Sequence, residues 1–232
     1  MVEALEICDA PTMTKAVPEA LILDFGGVLY DIDYNAPAEA FALLGLTDFK
    51  GLYQQSAQAH EFDELECGRI TPDRFYQFME SHCRPGTRRE EVVEAWNSIL
   101  IGMHASRISL VQALGKQTRL FLFSNTNVIH ARIFEAWMEK HLGLSAFRNA
   151  FEGIHYSHEM GIRKPDPTAF SSLCERHGIQ VQNALFIDDS KQHVDGARVA
   201  GLEAHWHHPV QEDVAIWLAE RGFELPQEAF RD

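Results

Sequence analysis

Positive charge is scarce in this chain. Twenty lysines and arginines stand against 34 aspartates and glutamates in 232 residues, a net charge of −14 with histidine neutral. Such a balance lacks the electrostatic footprint of a nucleic-acid binder or of a protein that lies on an anionic membrane. No apolar run reaches the roughly 18 residues that a membrane-crossing helix needs. Cysteine is sparse: Cys8, Cys67, Cys83 and Cys174, none spaced as CxxC. Free thiols in a reducing compartment are expected. The opening residues carry neither a basic n-region nor an apolar h-region, so no secretory signal is read there and the cytoplasm is the expected location. Internal repeats and low-complexity tracts are also absent.

What remains is ordinary globular material, 46% hydrophobic and 23% charged. The length suits one domain with an insert, or two small ones. Residues 1–18 carry Pro11 and Pro18 and no period, and read as a flexible tail. Short apolar runs then recur: 20–25 ending in Asp24-Phe-Gly-Gly, 119–123 before Ser124-Asn125, 151–154, 184–187 before Asp188-Asp189, and 202–206. Runs of this length stopped by glycine or polar residues read as buried parallel strands. Helical spacing lies between them, at Ile129, Ile133 and Trp137 and at Phe170, Leu173, Cys174 and His177. Alternation of this kind predicts an α/β fold with a doubly wound parallel sheet. From 34 to 104 the pattern is helical with no good strand. Thr71-Pro72-Asp73 reads as a helix start, with Phe75, Phe78 and Met79 as its apolar stripe and Val92, Val93 and Trp96 forming another. This insert is expected to cap the strand ends, giving a tail at 1–18, a core of 19–33 and 105–232, and a helical cap of 34–104.

Ligands bind at the carboxyl ends of strands in such sheets, and four candidate elements fall there. Asp24 offers a carboxylate, as nucleophile or metal ligand, beside glycines that let backbone approach a ligand. Ser124 and Asn125 offer hydroxyl and amide donors suited to phosphoryl oxygens, or a plain cap for the following helix. Lys164, between Arg163 and Pro165, has a stiff launching point from which to meet phosphate as a point charge. Asp188 and Asp189 are adjacent acids that call for a balancing cation, and oxygen donors suit Mg²⁺. Together they form the inventory for phosphoryl transfer to a carboxylate.

The order Asp24-Phe-Gly-Gly-Val-Leu, Ser124-Asn125, Lys164-Pro-Asp and Asp188-Asp189 resembles the haloacid dehalogenase-like (HAD) superfamily over about residues 20 to 210. The helical insert, with 62–72 inside it, is similar to that superfamily's type 1 cap. Asp31-Ile-Asp33 and Ser-Asn-Thr-Asn look most like its α-glucose-1-phosphate phosphatase branch. The resemblance implies a Rossmann-like core and a Mg²⁺-dependent phosphatase acting on a small phosphorylated metabolite such as a sugar phosphate. Asp24 would be the nucleophile, forming an aspartyl-phosphate. Asp24, the carbonyl of Gly26 and Asp188 would hold Mg²⁺, with Asp189 orienting the shell around it. Ser124, Asn125 and Lys164 would bind the transferring group. One position departs from the common pattern: where most phosphatases of the superfamily carry a second aspartate as general acid, this chain has Gly26. Asp31 and Asp33 are the candidates to replace it.

Two rivals remain. A haloacid dehalogenase also lacks the second aspartate, but it attacks carbon without a metal and has no use for the Asp188-Asp189 pair. A catalytically weak scaffold binding a phospho-ligand or a protein is the other. His205, His207 and His208 read as packing and exposed imidazoles, and His155 and His158 as possible neighbours of the pocket.

Overall fold

The computed structural model describes residues 17–53 and 59–230. Most of the expected tail, up to residue 16, lies outside them. Five parallel strands form the central sheet: β1 (Ala20–Leu23), β4 (Arg119–Ser124), β5 (Gly153–Tyr156), β6 (Ala184–Asp188) and β7 (Glu203–Trp206), in the order β5-β4-β1-β6-β7. The two-residue β2 (Asp31–Ile32) and the three-residue β3 (Leu100–Gly102) pair antiparallel outside this sheet. The helices are α1 (Ala36–Leu43), α2 (Phe49–Leu52), α3 (His60–Glu66), α4 (Pro72–His82), α5 (Arg89–Asn97), α6 (Ser106–Leu114), α7 (Val128–His141), α8 (Leu144–Arg148), α9 (Ser157–Met160), α10 (Pro167–His177), α11 (Lys191–Val199) and α12 (Val214–Glu220).

Every residue of β1 is buried, because both faces of the sheet are covered. Leu21 is in register with Leu120 and with Leu185. Side chains alternate across the pleat. Leu21, Leu23, Leu122 and Ile187 therefore pack on one face with α6, α7 and α12, while Ile22, Phe121, Phe123 and Phe186 pack on the other with α10. The strand order reverses direction at β1, so its carboxyl end opens a crevice between neighbours.

Residues of α1 to α5 build a separate core around Phe41, Phe49, Phe62, Phe75 and Trp96. Thr71 caps α4 by accepting from the Arg74 N–H at 3.3 Å, with Pro72 in the first turn. This helical core is joined to the sheet through α7. Ile129 packs into it, and the buried His130 stacks on Trp96 with centroids 4.6 Å apart.

Three expectations need correction. The third strand begins at Gly153, not Phe151, because its ladder to β4 starts at the Phe121–Gly153 pair, while Phe151 turns into the core. The stretch before residue 104 does contain a strand, β3, too short to show a period. The apolar face of α7 runs through Ile129, Phe134 and Met138, leaving Ile133 exposed.

Candidate active site

The Asp24 N–H donates to the Ile187 carbonyl at 2.9 Å, extending the β1–β6 ladder by one rung. The nucleophile candidate is thus fixed by the sheet itself. Asp188 ends β6 and Ser124 ends β4, both buried. Lys164 is fully buried, and its Nζ donates to Asp24 Oδ1 at 2.7 Å, Asp188 Oδ2 at 2.6 Å and the Phe123 carbonyl at 2.9 Å. The rings of Phe123 and Phe186 flank the ammonium at 5.3 and 5.2 Å from their centroids. The sequence-predicted residues of the four motifs therefore come together at one edge of the sheet.

Asn125 serves this arrangement through its side chain. Its Oδ1 accepts from the Lys164 N–H at 2.9 Å, and its Nδ2 donates to the Lys164 carbonyl at 2.8 Å. That double bond pair clamps the backbone from which the lysine springs. The cap of α7 is instead Asn127, whose Oδ1 accepts from the N–H groups of Ile129 and His130. Asp166 likewise caps α10 through Thr168 N–H, so the Lys-Pro-Asp segment is both lysine holder and helix start. Gly196 of α11 lies against this segment, where a Cβ would stand 2.1 Å from the Pro165 carbonyl oxygen.

Asp189 completes the cluster. Gly27, at φ +76°, lets the Asp189 carboxylate lie where a Cβ would be only 2.4 Å from its Oδ2. Asp24, Asp188 and Asp189 each offer an oxygen within 4.8 Å of the others. Their charges conflict, and the protonation equilibria record it. Burial and then the Asp188 charge push Asp24 up to about 6. Burial, with Asp24 and Asp188, pushes Asp189 up to about 8. Burial alone would raise Asp188 as well, but His193 and Lys164 hold it down at about 2. Burial opposes the charge on Lys164, yet Asp188 and Asp24 raise its pKa. Three carboxylates around one ammonium leave room for a dication, and all-oxygen donors fit a hard ion such as Mg²⁺.

The cavity above these groups is lined by Asp24, Gly26, Ser124 and Asn125 on the sheet side and by Tyr34, Tyr53, Glu66 and Arg163 opposite. Glu66 of α3 is buried and meets Arg163 Nε at 2.9 Å. Arg163 also pairs with Asp63, and Arg69 donates to the Gly161 carbonyl at 3.1 Å. These contacts hold α3 down on the loop that carries Lys164.

His193 and the four residues opposite the strand ends escaped the sequence reading. His193 is buried in α11, its Nδ1 3.0 Å from Asp188 Oδ1. Its signal was available: it follows Asp188 by five residues, in the first turn of the next helix. Neither proposed acid lines the cavity. Tyr30, Ile32 and Tyr34 do, at every second position, while Asp31 and Asp33 between them are not part of the lining. Asp31 lines a different recess, and the Asp33 carboxylate accepts from the Asn35 N–H at 2.8 Å. Moreover, a Cβ at Gly26 would meet Ile32 Cδ1 at 2.9 Å, so an isoleucine stands where an acid at 26 would begin. His155 and His158 are also outside the cavity lining. His155 Nε2 faces His177 Nε2 at 2.8 Å, and His158 Nδ1 faces the Thr126 carbonyl at 3.2 Å. Cys67, Cys83 and Cys174 are free. Among the described residues, no helix is long and apolar enough to cross a membrane.

The fold and this constellation define an α/β protein with a cluster of buried ionisable groups at its strand ends. Residues 18–201 match the haloacid dehalogenase-like hydrolase family, and the chain belongs to it. The chain is 26% identical over 185 residues to D-ribitol-5-phosphate phosphatase of Bacteroides thetaiotaomicron, covering 79% of this chain and 88% of that one. A HAD family enzyme from the same bacterium was crystallised as an Asp-to-Ala variant with magnesium and inorganic phosphate. It superposes with a TM-score of 0.77 at 25% identity, covering 87% of this chain and 99% of that one. The L-2-haloacid dehalogenase of Xanthobacter autotrophicus shares the fold at a TM-score of 0.54 and 16% identity, over 81% of this chain and 76% of that one.

Proposed function

We propose that this protein is a Mg²⁺-dependent phosphatase that hydrolyses a small phosphomonoester, of the sugar or sugar-alcohol phosphate class, through an aspartyl-phosphate on Asp24. The observation that carries the reading is the convergence of the Asp24, Asp188 and Asp189 carboxylates at the carboxyl edge of the sheet, with the Lys164 ammonium bonded to the first two. A dehalogenase has no use for that acid excess. The relatives that act on ribitol phosphate, or hold magnesium with phosphate, support the same chemistry.

In this reading a carboxylate oxygen of Asp24 attacks phosphorus as the ester oxygen leaves on the opposite side. Water then cleaves the acyl phosphate and regenerates Asp24. Ser124 donates its hydroxyl to a phosphoryl oxygen, and the Lys164 charge offsets the negative charge of the transferring group. Asn125 keeps Lys164 in place by its clamp on the backbone. Asp24, the Gly26 carbonyl and Asp188 would hold Mg²⁺, with Asp189 beside them, and the ion would neutralise phosphoryl charge. Residue 26 supplies no proton to the leaving oxygen; the Tyr34 and Tyr53 hydroxyls on that side of the cavity, whose protons burial holds tightly, can hydrogen-bond to it while water supplies the proton. We assign the segment 34–104 as a cap that shields the site from water and selects the alcohol. Glu66 and the two tyrosines of the cap, with Arg163 of the lysine loop, offer hydrogen-bonding groups suited to a polyhydroxylated leaving group.

Hydrolysis of p-nitrophenyl phosphate with Mg²⁺ and with EDTA tests the reading, using wild type and Asp24→Asn. Turnover requiring both the metal and Asp24 is expected. Metal-independent release of halide from 2-haloacids, with no phosphate release from p-nitrophenyl phosphate or a panel of pentitol and hexose phosphates, would overturn it.

A further inference from the structure

A second constellation lies at the carboxyl end of β7 and in the segment that follows, outside the proposed phosphatase site. His205 and His207 are two residues apart, and both turn towards one carboxylate. His205 Nε2 is 2.8 Å and His207 Nδ1 is 3.0 Å from Glu212 Oε2. All three donor atoms lie within 4.8 Å of one another. His208, by contrast, packs its ring against Trp206, with centroids 4.1 Å apart.

We propose that His205 Nε2, His207 Nδ1 and Glu212 Oε2 form a second metal site, for a borderline divalent transition ion of the zinc class. Two imidazoles and one carboxylate are the donor set that such ions accept, whereas Mg²⁺ prefers oxygen alone. Metal–ligand bonds of about 2.0–2.2 Å set tetrahedral edges near 3.3 Å. The two short edges here need to widen by only a few tenths of an ångström. A metal ligand imidazole presents a lone pair, so the nitrogens that now face Glu212 would carry no proton in the loaded site. His205 is held rigid by stacking on Trp217 at 3.9 Å between centroids. His207 is almost wholly buried, while the side chains of His205 and Glu212 are about a quarter exposed, at 24% and 25%. That opening leaves a fourth position for water or a ligand atom. The nearby Arg107 guanidinium does not stand uncompensated against a dication, since it pairs with Asp213 at 2.9 Å.

The position gives the site a consequence. The His207 N–H donates to the Asp188 carbonyl at 2.9 Å, and Trp206 Nε1 donates to the Asp189 carbonyl at 2.9 Å. An ion clipping 205, 207 and 212 would therefore fasten the segment that supports the backbone of both acids. It acts as a positioning site and touches no substrate.

The test is calorimetric titration of Zn²⁺ into the full-length protein held in excess Mg²⁺, with Co²⁺ absorption as an independent report of nitrogen ligation. Wild type and Asp188→Asn are expected to bind one ion at this site with the same affinity. His207→Ala and Glu212→Gln are expected to weaken it by about 100-fold or more. Glu212→Gln is nearly isosteric, and circular dichroism of both variants without metal shows whether they fold. Absence of Zn²⁺ binding by wild type would overturn the proposal. So would binding that survives Glu212→Gln but is lost in Asp188→Asn, which would put the ion among the aspartates. Neither result depends on whether the protein is a phosphatase.

Discussion

The two sides of the cavity are built on different principles. On the sheet side, Asp24, Ser124 and Asp188 are held by ladder hydrogen bonds at the ends of three adjacent strands, and Lys164 is clamped by Asn125. Opposite, Tyr34, Tyr53, Glu66 and Arg163 come from separate turns, helices and a loop; Tyr53 rests on a cluster of aromatic rings, and Glu66 pairs with Arg163. The first side fixes atoms where a reaction needs them. The second shapes a space and can be reworked without disturbing the sheet. In the proposed function, chemistry and selectivity thus fall to different cores of one chain.

The comparison breaks most sharply at Asp24. Asp24→Asn should lower kcat by about 10³-fold or more, in the range for loss of a covalent nucleophile, with little change in far-ultraviolet circular dichroism. On the helical side the largest expected effect is on stability. Trp96→Ala removes a fully buried indole that touches Phe49, Phe62, Phe75 and His130. It should cost about 3–5 kcal/mol, read by urea unfolding. If Trp96→Ala were to abolish turnover while leaving stability intact, the division would be wrong.

Protonation separates the sides further. In the metal-free protein, Asp189 binds its proton more tightly folded than unfolded, since burial and its acid neighbours raise it to about 8. Its contribution therefore becomes unfavourable as pH rises from the ordinary aspartate range through 8. Asp189→Asn should raise Tm relative to wild type, with a gap that widens from pH 5 to pH 8 and narrows when Mg²⁺ is added. His130 goes the other way. Burial lowers it to about 4, so its neutral form contributes stability above the ordinary histidine range that is lost as pH falls towards 4. His130→Gln should show a shallower loss of Tm between pH 6.5 and 4 than wild type, and an equal slope would discount the role given to this imidazole. The smallest effect belongs to Glu66→Gln. It should change KM for sugar phosphates by about tenfold while leaving kcat for p-nitrophenyl phosphate within twofold.

The same contrast explains what the amino-acid sequence reveals. Asp24, Ser124 and Asp188 are legible because each ends or follows a short apolar run, and a parallel sheet brings the carboxyl ends of such runs to one edge; Lys164 is legible from the prolines that stiffen its loop. Asn125 is legible as a polar neighbour but not as a clamp, since its partner is the backbone of residue 164. His193 lies one helical turn past a motif and could have been found by asking what faces Asp188. The residues opposite could not. Glu66 and Arg163 meet across 97 positions of chain, and only the packing of α3 against the 161–163 loop brings them together. β2 and β3 hold two and three residues, too few for any period, so the direction in which Asp31 and Asp33 point was invisible.

The place of Ile32 in the cavity wall has a consequence for how this site could change. Side chains along β2 alternate, so the neighbours that flank Ile32 on either side are both aspartates. Losing or gaining one residue between Gly26 and Ile32 would slip the strand by one position and present a carboxyl group where the isoleucine now stands. A family of hydrolases could therefore acquire or discard a proton donor by a three-nucleotide insertion or deletion, with every motif around it intact.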